Sequence, residues 1–274
     1  MVAASTVGIA ALLGSAASAR ADSPQLPDAG WETGYDVSHP QCGAALPTGA
    51  SFAVIGVNGG RVFRGNPCLA EQTAWAHGVE TTPSYYANTA NPGPLISKYW
   101  PSGQAFPREC ASEYPANDSE GCSYDYGWTA AQDSYHNAYS AAMENYGEGA
   151  AKPNGDWWLD VETSNTWQTL VDGPTPAEQA QANAVAALQG AVDYLTGVAQ
   201  VRQVGFYSSP TQWQQITGGT ADRFADHPVW VAGAGDRASA VARCAAGESF
   251  TGGAVELAQY REGAFDANLR CPSD

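Results

Sequence analysis

The chain has 274 residues, a length that suits one large domain or two small ones, and its 44% hydrophobic content is that of a globular protein. It is strongly acidic, with 28 Asp and Glu residues against 12 Lys and Arg residues and a net charge of −16. Because no basic residues cluster in the sequence, this composition excludes nucleic acid as a partner. It also excludes long-range electrostatic capture of anionic polymers, so any binding to an anionic cell wall must come from a cleft.

The first 21 residues predict a secretory signal peptide. An apolar run from Val7 to Gly14 is followed by small residues up to Ala21 that fit a small-residue cleavage rule, although no Lys or Arg precedes the run. Residues 22–274 form the predicted folded domain. No second apolar run approaches the roughly 18 residues of a membrane span. We therefore expect a secreted, extracellular protein that is soluble and monomeric.

Strands and helices alternate along the chain, which predicts parallel βαβ units. The predicted strands cover residues 33–38, 52–58, 80–87, 156–162, 201–208, 228–232 and 254–260. The predicted helices cover residues 69–77, 128–146, 176–196 and 211–217, with Gly197 ending the third. Residues 88–127 form a long insertion, and residues 233–253 show no clear strand. The sequence predicts an α/β fold with a single (β/α) TIM-type barrel. This barrel is either regular, or it is irregular or short of strands.

Six cysteines after a signal peptide predict disulfide bonds that staple this barrel. Sequence alone permits many pairings, and no CxxC or Cys/His spacing indicates a zinc site. We favour sequential pairing because two of the cysteines flank one polar loop and the last pair would tie the C-terminal tail to the preceding segment. The predicted pairs are Cys42–Cys68, Cys110–Cys122 and Cys244–Cys271. We expect neither a metal nor a cofactor.

The fourth predicted strand ends in two carboxylates, Asp160 and Glu162. Residues i and i+2 of a strand point to the same face, so these side chains project together with Trp158, while Trp157 points outward toward the helices. Desolvation and mutual repulsion raise at least one of their pKa values, which keeps one carboxyl protonated while the other is ionised. Cleavage of a glycosidic bond needs such a pair. A strand whose last polar residues simply reach solvent would show the same pattern.

Further polar motifs end other predicted strands, where the reacting groups of a (β/α) barrel lie. In chain order the motifs are Gly34-x-Asp36-Val37-Ser38-His39, Asp160-x-Glu162, Phe206-Tyr207-Ser208-Ser209 followed by Trp213, Pro228-x-Trp230-x-Ala232, and Gln259-Tyr260 followed by Asp266-x-Asn268. This ordered set resembles glycoside hydrolase family 25, the lysozymes or N-acetylmuramidases. It also resembles the glycoside-hydrolase-like barrels of exported actinobacterial proteins. The second and third strands depart from the family pattern, since Gly56-Val57-Asn58 carries no Arg or Lys and Tyr85-Tyr86-Ala87 replaces a Tyr-His-Phe type sequence.

The resemblance implies a role for each acidic residue. Glu162 is the general acid, predicted to lie against an apolar wall that includes Trp158. Asp160 stabilises the developing positive charge or orients an N-acetyl group of the substrate, and Asp36 and Asp266 are supporting carboxylates. The residues predicted to bind the sugar are Tyr35, Tyr86, Trp158, Tyr207, Trp230, Tyr260 and Asn268.

The predicted function is therefore a secreted glycoside hydrolase that cleaves a cell-wall glycan, peptidoglycan above all. Its partner is a cell-wall polysaccharide, with no nucleic acid and no membrane. The alternatives are a barrel that binds glycans without cleaving them and a glycosidase for another wall polysaccharide. A metal-dependent phosphodiester hydrolase is a weaker alternative, because it needs paired His and carboxylate ligands and only His39 ends a predicted strand.

Overall fold

The structure is a computed structural model that describes Met1 and residues 30–147, 152–219 and 222–272. One compact unit, Trp31–Asp274, contains the whole barrel. Apart from Met1, the predicted signal peptide at residues 1–21 lies outside the described residues. Among the helices in the described part of the chain, none is both long and apolar enough to cross a membrane.

Within the described residues, eight strands close into a barrel in chain order. They are β1 Thr33–Val37, β2 Ala53–Gly56, β3 Ser84–Asn88, β4 Asp156–Asp160, β5 Gln203–Ser208, β6 Val229–Ala234, β7 Val255–Glu262 and β8 Phe265–Arg270. The first seven run parallel to their neighbours, whereas β8 is antiparallel to both β7 and β1. The predicted barrel is confirmed in its irregular form, since one strand of eight is reversed.

The α-helices of the described chain surround this barrel. They are α1 Leu69–Val79, α2 Glu120–Tyr146, α3 Ala177–Asp193, α4 Pro210–Thr217 and α5 Arg237–Ala246. Two glycines let α2 and α3 approach closely: a Cβ at Gly127 would lie 1.8 Å from the carbonyl oxygen of Ala187, and one at Gly190 would lie 2.0 Å from that of Tyr124. No larger residue fits at either position without moving a helix.

Several sequence-based boundaries are wrong. The second long helix begins at Glu120 and not at residue 128, because the Ser119 side chain accepts a hydrogen bond from the Cys122 backbone and caps the helix inside the predicted insertion. Gly197 does not end α3, since the chain continues through a π-helical turn, Tyr194–Ala199, and reverses at Gln200. The third strand starts at Ser84, and the fourth leaves the sheet after Asp160.

Sequence analysis also missed two elements. Helix α5 occupies the segment with no clear strand, and Asp236 caps it by accepting a hydrogen bond from the Ser239 backbone. Strand β8 follows a tight turn at Gly263, which has a φ of 62°. The turn folds β8 back onto β7, so Asp266 and Asn268 lie within a strand and not beyond the last one.

The core has an inner and an outer part, and strand alternation divides them. Trp157 packs between the barrel and the helices, stacked with Tyr85 at 5.3 Å between ring centroids. Trp158 faces the barrel interior and packs in a cluster with Phe52, Val54, Trp230 and Leu257. The three predicted disulfide bonds are formed: Cys42–Cys68, Cys110–Cys122 and Cys244–Cys271.

Candidate active site

Asp160 is the last residue of β4, at the carboxyl end of the parallel strands. The side chain is only 4% exposed. Its register partner on β3, Asn88, donates an amide hydrogen bond of 2.5 Å to Oδ2, and the Asn165 amide approaches Oδ1 at 3.4 Å. Two neutral amides therefore hold this buried carboxylate without supplying a positive charge.

Glu162 lies two residues beyond β4 and is half-buried. Its carbonyl oxygen accepts hydrogen bonds from the Trp167 indole at 2.9 Å and from the Asn165 backbone at 3.1 Å, which fix the backbone. Its carboxylate is hydrogen-bonded by Gln212 of α4. The Gln212 amide oxygen accepts from the Thr163 backbone at 2.7 Å, so the amide N–H groups remain for Glu162.

Asp160 and Glu162 form an electrostatically coupled pair. Burial is the main cause that raises the pKa of each carboxyl above its ordinary value. Repulsion from Glu162 adds to the rise at Asp160, and repulsion from Asp266 adds to the rise at Glu162. The donated amide hydrogen bonds from Asn88 and Asn165 favour the ionised form of Asp160. Each carboxyl of the pair therefore keeps its proton to a higher pH than an isolated carboxyl does.

A second carboxylate pair faces the first. Asp36 on β1 and Asp266 on β8 are opposite each other in the antiparallel register. Oδ2 of Asp36 accepts hydrogen bonds from the Asn268 amide at 2.8 Å and the Gln259 amide at 3.0 Å. Burial, then repulsion from Asp266, raises the pKa of Asp36 to about 7. Asp266 is balanced by an ion pair with Arg261 at 2.9 Å.

Aromatic side chains lie beneath these acids in the barrel interior. The rings of Tyr207 and Trp230 are 4.5 Å apart between centroids, and Tyr86 meets Trp230 edge-on at 6.1 Å. The Trp230 indole donates to the Asn268 side-chain oxygen at 2.8 Å, and the Tyr207 hydroxyl donates to the Gln259 side-chain oxygen at 2.7 Å. Both bonds orient the amides that in turn bind Asp36.

An open cleft of about 430 Å³ lies at the ends of β5 to β8. Glu162 and Asp266 line it together with Tyr207, Gln212 and Gln259. A half-buried acid, amides and an aromatic ring on one wall can hydrogen-bond sugar hydroxyls and pack against a sugar face.

The structure brings together eight of the predicted site residues. They are Asp36, Asp160, Glu162, Asp266, Tyr86, Tyr207, Trp230 and Asn268. The remaining predicted residues lie elsewhere, because they point to another face of their strand or lie too far from the acids along it.

Three aromatic residues predicted to bind sugar are not placed at the acids. Trp158 is 2% exposed and lines a cavity at the opposite end of the barrel, beside Glu256 and Arg270, so it forms no wall next to Glu162. Tyr35 alternates outward from Asp36, and its hydroxyl donates to Glu262 at 2.5 Å. Tyr260 borders the cleft, but its ring packs in the cluster outside the barrel.

Sequence reasoning missed the amides that hold the carboxylates. Asn88, Asn165 and Gln212 contact Asp160 or Glu162, and Gln259 contacts Asp36. The position of Asn88 at the end of β3 was a usable signal, because adjacent parallel strands end at the same edge. Nothing in the sequence indicated Gln212, which reaches Glu162 from a helix. Among the described residues, no group of three or more His, Cys, Asp and Glu side chains is arranged to hold a metal ion.

Solved structures share this barrel. The muramidase from Acremonium alcalophilum matches with a TM-score of 0.51 and 17% sequence identity, over 89% of this chain and 94% of that one. The chain has the fold of a muramidase. The modular autolysin LytC from Streptococcus pneumoniae, in complex with a synthetic peptidoglycan ligand, matches with a TM-score of 0.51 and 11% identity, over 88% of this chain and 46% of its own.

A family GH25 lysozyme from Aspergillus fumigatus has a TM-score of 0.48 and 14% identity, over 89% of this chain and 95% of that one. No protein-family model and no curated protein matches the sequence. The resemblance to muramidases that the motifs predicted is confirmed at the level of the fold.

Proposed function

We propose that this protein is a glycoside hydrolase that cleaves a cell-wall glycan, with peptidoglycan as its substrate. The observation that carries the proposal is the coupled pair at the end of β4, in which Asp160 and Glu162 share a buried site with raised pKa values. The muramidase-like fold and the adjoining cleft support the same reaction.

In the proposed reaction, Glu162 donates its proton to the glycosidic oxygen as the bond from that oxygen to the anomeric carbon breaks. The ionised carboxylate of Asp160 stabilises the positive charge that develops on the sugar. Water then adds to the anomeric carbon and returns a proton to Glu162. Asn88 and Asn165 keep Asp160 ionised, and Gln212 holds Glu162 in position.

The supporting residues have separate proposed roles. Asp36 and Asp266 hold the sugar next to the cleaved bond, and their charge sustains the raised pKa values of the first pair. Tyr86, Tyr207 and Trp230 form the aromatic floor, with Tyr207 placed to contact the sugar because it lines the cleft. Asn268 fixes Asp36.

The test compares the wild type with Glu162→Gln on purified peptidoglycan and on other wall polysaccharides, and measures new reducing ends. We expect release by the wild type and a loss of about 10²–10⁴-fold in the variant, because general acid catalysis is removed while the side-chain volume is kept. Gln214→Glu is a matched control, since it makes the reverse exchange on the same helix that carries Gln212.

Binding of both proteins to the insoluble polymers is measured in parallel by sedimentation. Binding without release by the wild type would replace the hydrolase with a non-catalytic glycan-binding barrel. Release from another polysaccharide but not from peptidoglycan would correct the substrate. A fully active Glu162→Gln protein would remove the proposed mechanism.

We also propose that the protein is secreted and acts as a monomer outside the cell. The three disulfide bonds support this location, because such bonds persist in oxidising compartments. Expression of the full chain in a secreting host, followed by N-terminal sequencing of the exported product, tests the predicted cleavage after residue 21.

A further inference from the structure

The loop that follows β2 is a short, rigid hairpin on the same end of the barrel as the carboxylates. Asn58 and Gly65 form an antiparallel bridge, and the Gly59 backbone donates to the Arg64 carbonyl at 2.6 Å. The Cys42–Cys68 disulfide anchors the end of the loop. The backbone of the hairpin is therefore held in place at its base and at its end.

Phe63 at this tip has a left-handed backbone conformation, with a φ of 56°. Such a conformation is unfavourable for a bulky side chain and costs about 1–3 kcal/mol, so the surroundings must maintain it. The Phe63 ring stacks on Tyr99 of the β3 loop at 4.4 Å between centroids and meets Tyr126 edge-on at 5.4 Å. Positions of this kind cluster at binding and catalytic sites.

Three basic side chains lie on the two loops that carry the stacked rings. Arg61 and Arg64 are close to Phe63 in the sequence and are exposed, and the ammonium of Lys98 lies 4.9 Å from the centroid of the Tyr99 ring. Within the described residues, none of these three cations forms an ion pair. Four other cations, Arg202, Arg243, Arg261 and Arg270, are each paired with a carboxylate. The two loops therefore carry three positive charges without a paired carboxylate in a chain of net charge −16.

This surface lies next to the coupled acids. The side-chain oxygen of Asn58, at the base of the hairpin, accepts a hydrogen bond of 2.7 Å from the Asn88 backbone, and the Asn88 side chain binds Asp160. The basic surface is thus on the β2–β3 side of Asp160, whereas the cleft is on the β5–β8 side of Glu162. A polymer that crosses the acids would contact both.

We propose that Arg61, Phe63, Arg64, Lys98 and Tyr99 form a basic–aromatic subsite that binds anionic groups of the glycan substrate. Guanidinium and ammonium groups recognise carboxylate and phosphate through charge-assisted hydrogen bonds, and aromatic rings offer a face to a sugar. The subsite attracts anionic groups locally, although the acidic chain as a whole does not attract them. This inference rests on the proposed function, since it assigns a substrate class to the same glycan site.

The test measures binding in a Glu162→Gln background, so that hydrolysis does not disturb it. One protein also carries Arg61→Gln, Arg64→Gln and Lys98→Gln. Its control carries Lys152→Gln, Arg202→Gln and Arg223→Gln, which removes the same charge elsewhere on the barrel. Each is mixed with wall preparations that are intact, stripped of phosphodiester-linked polymers, or stripped of stem peptides. Circular dichroism verifies that both triple variants are folded.

We expect the first triple variant to bind intact walls at least about tenfold more weakly than the control, because charge-assisted hydrogen bonds are lost. The affinity of the Glu162→Gln protein without further substitutions should fall when one of the two anionic components is removed, and that component identifies the group as a phosphodiester or a peptide carboxylate. Equal binding by the two triple variants would overturn the subsite, as would an affinity of the Glu162→Gln protein that is unchanged by both strippings.

A neutral oligosaccharide separates this inference from the proposed function. With the Glu162 side chain restored, the Arg61, Arg64 and Lys98 substitutions should leave kcat on such a substrate unchanged and should raise KM only on anionic walls. If the wild type cleaves no substrate, the hydrolase function is rejected but the subsite is not, because the binding comparison does not depend on turnover.

Discussion

Both ends of the barrel carry clustered carboxylates, and the two clusters are compensated differently. At the end where the parallel strands begin, Arg202 binds Asp156 through two hydrogen bonds of 2.6 and 2.7 Å, and Gln203 donates to Glu256 at 2.7 Å. At the end where they finish, Arg261 pairs with Asp266, whereas Asp160 and Asp36 receive hydrogen bonds from neutral amides alone.

Carboxylates thus have different surroundings at the two ends of the barrel, and their surroundings set their pKa values. A guanidinium supplies a counter-charge that favours the ionised form of a carboxylate. An amide satisfies the oxygen lone pairs but leaves the repulsion between neighbouring acids in place. At the end with Asp160, burial and that repulsion therefore keep the pKa values of Asp160 and Glu162 raised, which suits the proposed acid catalysis.

The largest expected effect comes from comparing the two ends of β4 itself. Asp160→Asn should lower reducing-end release by about 10²-fold or more, because the proposed reaction then loses the preorganised charge that stabilises its transition state. Asp156→Asn, on the same strand, should keep release within about twofold of the wild type, since Asp156 is bound by an arginine on the far side. Similar losses of reducing-end release in both variants would mean that the carboxylates of β4 act only by stabilising the fold.

The pH dependence of stability sharpens the comparison. Asp36 has a folded-state pKa of about 7 against an ordinary 3.8, so the folded state holds the extra proton between these values. Stability should therefore be highest below that window and fall as pH rises through it, by at most roughly 4 kcal/mol at about 1.4 kcal/mol per pKa unit. Asp36→Asn should make this fall shallower in melting curves recorded from pH 4 to 8, while the raised pKa values of Asp160 and Glu162 leave a smaller fall of the same sign. A parallel pH dependence in both proteins would refute the raised pKa.

The two interior tryptophans offer a smaller test. Trp230 donates a hydrogen bond to Asn268, which in turn binds Asp36, whereas the indole N–H of Trp158 has no partner in the described structure. We expect Trp230→Phe to reduce activity about tenfold, because a buried acceptor loses its donor. Trp158→Phe should change kcat/KM by less than about threefold while lowering the melting temperature. A larger loss of activity in Trp158→Phe would mean that Trp158 does contribute to the sugar site.

The smallest effect is expected at the exposed ion pair of the strand-entry end. The Arg202 side chain is 55% exposed, so Arg202→Gln should reduce the free energy of unfolding by about 1 kcal/mol or less, without affecting activity. Urea unfolding of the two proteins measures the change. A loss well above that value would show that the pair is more strongly coupled to the barrel than its exposure indicates.

Much of the fold was predictable because strand periodicity is local. The run from Trp157 to Asp160 has one face toward the helices and one toward the barrel interior, and alternation assigned Trp157 and Trp158 to the correct faces. Helix α5 and strand β8 were missed because their segments are rich in small or polar residues. Strand β8 forms because its backbone pairs with β7 and β1, which are distant partners that local sequence does not reveal.

The main error in predicting the site concerned how far along its strand each side chain lies. Alternation places Trp158 on the same face as Asp160, yet two residues of strand rise separate the acid edge from the interior cluster. The register of β3 against β4 set the contact between Asn88 and Asp160, and the start of α4 set the contact between Gln212 and Glu162. Both depend on how separate elements pack.

The sequence by itself indicated that the chain forms an α/β barrel and that Asp160 and Glu162 lie together where its fourth strand ends, and it permitted the sequential cysteine pairing among others. These properties follow from periodicity and from the residues' positions along the chain. Only the tertiary structure decided which neighbours those carboxylates have. Raised pKa values, the reversed strand that carries Asp266, and the unpaired cations beside Phe63 all depend on charges and donors from elements far apart in sequence. Electrostatic interactions act through space, and folding sets the distances over which they act.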